Sequence, residues 1–111
     1  MNRGISSSLP GFLKTPFGGT AGDPLFKADS LELAWDDGCL LLTAVVTVSR
    51  PGDTEQWRLA FSFEEPDVSH VAEGAPAESL EWFTLMFRVN VAEWWHTRKL
   101  KPNMRTAYRV G

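Results

Sequence analysis

Residues Cys39 to Val48, CLLLTAVVTV, carry no charge, no Gly and no Pro, and they limit what this chain can fold into more than any other stretch. Leu40, Leu42, Ala44, Val46 and Val48 alternate with Cys39, Leu41, Thr43, Val45 and Thr47, so both faces of an extended segment are largely apolar. A strand in the middle of a sheet reads this way. Its density of β-branched residues argues against a helix, and ten residues is short for a buried one.

The flanking segments supply its partners. Leu31, Leu33 and Trp35 alternate with Ser30, Glu32 and Ala34, which is a strand with one wet face. Asp36-Asp37-Gly38 follows, and Asp-Gly between apolar runs is a strong hairpin signal because both positions tolerate positive φ. Arg50-Pro51-Gly52-Asp53 suits a type II turn within a longer loop. From Gln56 to Phe63, Trp57, Leu59, Phe61 and Phe63 share one face, and Pro66 stops the strand because it has no N–H for the ladder.

The C-terminal half reads less cleanly. Trp82 to Val91 alternates as a fourth strand, with Leu85 and Phe87 joining Leu33, Trp35, Leu59 and Phe61 on the dry face. Asn90 followed by Glu93 has the logic of a capping box, so a short helix is expected over 91–99, ended by Pro102. Residues 1–24 are rich in Ser, Gly and Pro and read as an extended arm, with Leu9, Phe12, Leu13 and Phe17 available to lie on the body and a short edge strand near Phe12. Residues 100–111 read as a basic tail. The expected fold is therefore α+β and mainly β, a single 111-residue domain: an antiparallel meander of about four strands over 30–91, an extended N-terminal arm and one short C-terminal helix.

Composition narrows the function classes. With 43% hydrophobic and 23% charged residues, the chain is too apolar to remain disordered. One cysteine excludes an internal disulfide. The start MNRGISSSLPGF lacks the apolar run of a secretory signal, and no stretch approaches the roughly 18 apolar residues of a membrane span, so a cytoplasmic protein without membrane contact is expected. The net charge of −3 hides an asymmetry: residues 1–95 hold six Lys or Arg against all fourteen acids, while 96–111 hold Arg98, Lys99, Lys101, Arg105 and Arg109 with no acid.

Little in the sequence points to catalysis. Cys39 sits beside Asp36 and Asp37, which disfavour a thiolate, and reads as a small core residue. His70 and His96 are the only imidazoles and lie in no metal-ligand spacing. No nucleophile elbow, phosphate loop or dinucleotide motif occurs. The pairs Asp36/Asp37 and Glu64/Glu65 read as turn and strand-end residues. No catalytic residue, metal or cofactor is expected.

Candidate contact residues fall in two groups. Arg58, Trp82, Met86 and Arg88, with Glu32, would share the wet face of the sheet; Trp94, Trp95, His96, Arg98 and Lys99 would cluster at the end of the short helix, one Trp packing and the other facing outward. The favoured reading is a small non-enzymatic protein-binding domain of the inhibitor or immunity type, meeting a partner with a basic surface, with a homodimer as the other protein partner considered. Two alternatives stand beside it. One is a small ligand-binding or catalytic domain with a pocket between sheet and helix lined by Trp35, Trp57, Trp94 and Phe87. The other is nucleic-acid contact through residues 98–111.

Overall fold

The computed structural model describes residues 4–20, 22–64 and 67–111. Its architecture is α+β and mostly β, as the alternation of apolar residues implies. In chain order it comprises α1 (Leu9–Lys14), β1 (Phe17–Gly18), β2 (Leu25–Asp36), β3 (Cys39–Arg50), β4 (Asp53–Phe63), a 3-10 turn over Asp67–Val71, α2 (Ala77–Thr97) and β5 (Met104–Arg109). The five strands form one antiparallel sheet in the order β1-β2-β3-β4-β5. The uncharged ribbon is thus the central strand.

Turn chemistry sets the register. Asp37 (φ 48°) and Gly38 (φ 80°) both occupy the left-handed region, the signature of a type I′ hairpin loop, and Asp36 pairs directly with Cys39. Pro51 and Gly52 (φ 78°) close the next hairpin in two residues, with Arg50 opposite Asp53, tighter than the longer loop expected. That register places Leu40, Leu42, Ala44, Val46 and Val48 on the same side as Leu59, Phe61 and Phe63, all buried. Cys39, Leu41, Thr43, Val45 and Thr47 face the other side and are half-buried.

The cover on the dry face is α2, and here the structure corrects the reading of the sequence. Residues 82–91 are the middle of a 21-residue helix, not a fourth strand, and the helix is neither short nor started at Asn90. It begins after Pro76, with Glu78 in its first turn, and Asn90 lies buried within it. Leu80, Phe83, Thr84, Phe87, Val91, Trp94 and Trp95 are its buried side, spaced three and four apart. A ladder of rings fixes its path: Phe83 meets Phe63 (4.7 Å between centroids), Phe87 meets Phe61 (5.3 Å) and Trp94 meets Trp57 (5.1 Å). Residue numbers rise along α2 as they fall along β4, so the helix runs antiparallel to that strand. Leu85, expected on the dry face, points away from it.

Residues 104–109 are also not a tail. They form β5, which pairs with β4 from Trp57↔Arg109 to Phe61↔Met104, with one irregularity between Ala60 and Phe61. The segment expected as an extended arm is partly helical: α1, whose Leu9 and Leu13 are fully buried, lies against the body because its apolar residues recur four apart, and the edge strand forms at Phe17 rather than near Phe12. Gly18 is required there. At φ 83° it takes a backbone shape that other residues resist, and a Cβ would sit 2.6 Å from the Pro24 carbonyl oxygen.

Candidate functional site

Two surfaces stand out, and both are built by α2. The first is its outward side. At 100° per residue, Trp82, Leu85, Val89 and Ala92 fall on one stripe, with Trp82 47%, Leu85 59% and Val89 44% exposed and Ala92 half-buried. The stripe is held firmly at one end, where the His70 ring lies 4.6 Å from that of Trp82. Met86 borders it and is half-buried, with its sulfur 4.0 Å from the Asn103 side-chain amide. Glu78, Glu81 and Glu93 are exposed along the same half of the helix.

The contact residues expected to share one face of the sheet are divided by this geometry. Arg58, opposite Val45, lies with Glu32 on the side of the sheet that α2 does not cover, whereas Trp82, Met86 and Arg88 belong to α2 itself. Arg88 is turned toward the arm: its guanidinium sits 5.5 Å from the Phe17 ring and Nη2 reaches the Phe12 carbonyl at 3.5 Å. Trp94 and Trp95 are both buried, so neither is the outward contact expected of a short helix. Both fall within the inward arc of a helix that continues past them, and Trp95 packs edge-on against Phe26. His96 is exposed and lies 3.2 Å from Asp23.

The second surface is a cleft of about 470 Å³ where the end of α2 approaches β4 and β5. Trp57, Trp94, Arg98, Leu100, Arg105, Thr106, Ala107 and Tyr108 line it. Of the pocket residues expected from sequence, Trp57 and Trp94 are present; Phe87 is fully buried in the core and Trp35, on the covered face, lies toward the hairpin end of the sheet. Arg98 caps α2 in a left-handed conformation, its N–H donating to the Trp94 carbonyl at 2.6 Å. Its Nε donates to the Trp95 carbonyl at 2.9 Å, and its guanidinium lies 3.8 Å from the centre of a Trp95 ring. Lys99 is exposed beside it.

Beyond the cleft, Glu55 is a buried carboxylate on the covered face. It accepts from Trp57 Nε1 (3.1 Å) and Arg50 Nη2 (3.1 Å) and lies 3.7 Å from Arg109. Arg50 also bonds Asp53 at 2.6 Å. This cluster ties the β3–β4 hairpin to the end of β5 and fixes the indole of Trp57 at the mouth of the cleft.

Reasoning from sequence missed Leu85, Val89 and Ala92 on the stripe, Glu55, and Leu100, Arg105 and Tyr108 in the cleft. The three-and-four spacing from Trp82 to Ala92 was the available signal for the first group; the cleft residues meet only through the pairing of β5, which no local pattern announces. Among the described residues no cluster of His, Cys, Asp and Glu has the geometry to hold a metal ion, and no helix is long and apolar enough to cross a membrane. Comparison with protein-family models, curated proteins and solved structures returns no match.

Proposed function

We propose that this chain is a non-enzymatic protein-binding domain whose contact surface is the outward stripe of α2. The observation that carries this reading is the exposure of Trp82, Leu85 and Val89 along one line of a helix whose opposite line already fills the core. Exposed apolar side chains gathered in one place mark contact sites, and Trp is prominent among the residues that dominate interface energetics. A rigid helix also loses little freedom on binding, so less of the contact energy is spent on ordering it.

Chemistry at the border of the stripe selects the partner. Glu78 and Glu81 favour a surface that offers Lys or Arg beside an apolar ridge, such as one side of a basic amphipathic helix. The fourteen acids outside the C-terminal segment extend that attraction over longer range. An inhibitor or immunity-type protein that occludes a basic target combines the same features.

A photo-crosslinking residue (benzoylphenylalanine) placed at position 85 in the full chain tests the reading in cells. A discrete adduct with one other protein, lost when the crosslinker is moved to Glu32 on the uncovered side of the sheet, is the expected result. Adducts equally abundant from positions 85 and 32, or none from 85, would overturn it.

A further inference from the structure

We infer that the cleft between the end of α2 and the β4–β5 edge binds a small organic anion with a flat aromatic body. This surface is separate from the outward stripe, and the inference does not depend on that reading. Three observations carry it.

The first is charge. Arg98 and Arg105 line the cleft, no carboxylate does, and among the described residues neither arginine has an acidic partner. Of the other cations nearby, Lys101 pairs with Glu93 at 3.8 Å and Arg109 with Glu55 at 3.7 Å, while Lys99 is exposed next to Arg98 and adds to the positive charge. Two arginines without an acidic partner among the residues lining one opening favour an anion, and the planar fork of a guanidinium suits carboxylate or phosphate oxygens.

The second is preorganisation. Backbone capping, the Nε bond and stacking on Trp95 already hold Arg98 in place, while no hydrogen bond occupies its Nη atoms among the described residues. A ligand meeting those donors does not have to order a loose side chain. Arg105 sits at the irregularity in the β4–β5 pairing, between Met104 opposite Phe61 and Thr106 opposite Ala60. An extra residue in a strand re-aims its side chain out of the regular alternation, and such bulges recur beside binding sites.

The third is the wall. Trp57 and Trp94, packed edge to face at 5.1 Å, form with Leu100 an apolar lining in a space of about 470 Å³, within the usual range for small-molecule sites. Inorganic phosphate alone would leave those rings unused. An aromatic carboxylate satisfies both halves.

Titration of the ¹⁵N-labelled full chain with 2-naphthoate, its neutral analogue 2-naphthalenemethanol and acetate tests the inference by NMR. The expected result is that 2-naphthoate at millimolar concentration shifts the indole signals of Trp57 and Trp94 and the Nε–H signal of Arg98, with binding by the neutral analogue and by acetate about tenfold weaker or worse. Arg105→Gln is expected to weaken 2-naphthoate about tenfold, and Arg98→Lys, which keeps the charge but not the fork, to weaken it without unfolding the chain. Equal binding of the neutral analogue, shifts centred on Trp82, or unchanged affinity in Arg105→Gln would overturn it. So would binding of an acidic peptide at the same signals with 2-naphthoate silent.

Discussion

The inward and outward sides of α2 are both apolar, yet only one is covered. Phe83, Phe87, Val91 and Trp94 have the sheet against them; Trp82, Leu85 and Val89 have water. Burial of one large apolar side chain stabilises a fold by roughly 1.5–3 kcal/mol, and the outward residues contribute little of that until something docks. A helix of this length needs only one apolar side to be held in a monomer. The second side is therefore available to a different purpose, and the difference between the two separates residues that make the fold from residues that use it.

Substitutions on the two sides of α2 should differ widely in effect. Phe87→Ala removes a ring from the centre of the inward side and should destabilise by about 3–5 kcal/mol in urea unfolding. A loss much smaller than that would mean the inward side is not the core. Glu55→Gln leaves the Trp57 indole with a weaker acceptor and takes the charge from between Arg50 and Arg109; about 1–2 kcal/mol of stability should be lost. On the outward side, Leu85→Ser with Val89→Ser should change stability by only about 0.5 kcal/mol per site, while weakening capture of the crosslinked partner by more than about tenfold. The smallest effect concerns rate: association with that partner should slow as salt rises from about 0.05 to 0.5 M, because the acidic surface acts at long range and is screened. An on-rate indifferent to salt would remove the basic partner from the account.

The contrast also explains what the sequence disclosed. The sheet was legible at β2, β3 and β4 because each alternates with period 2 and each hairpin carries its own turn chemistry at Asp37-Gly38 and Pro51-Gly52. From Trp82 to Val91 legibility failed for a physical reason. With Trp82, Leu85 and Val89 outside and Phe83, Phe87 and Val91 inside, the helical period is masked and every second residue still looks apolar. The feature that hid the helix is the one proposed as its working surface. β5 was missed for another reason, since Arg105 and Arg109 among few apolar residues read as a solvated charge run, and an edge strand at the end of a chain gains its pairing from β4 rather than from its own pattern. Its place in the sheet also means that deleting 98–111 would strip a strand as well as charges, so such a deletion cannot isolate nucleic-acid contact.

Stability and binding measured on one double variant separate the two sides of α2. The full chain and its Leu85→Asp, Val89→Asp double variant would be compared by urea unfolding and by affinity for the protein crosslinked from position 85. The double variant should lose no more than about 1 kcal/mol of stability per site, far less than Phe87→Ala, while its affinity falls at least about a hundredfold through two charges at the centre of the contact. Unchanged affinity, or unfolding as severe as that of Phe87→Ala, would contradict that separation.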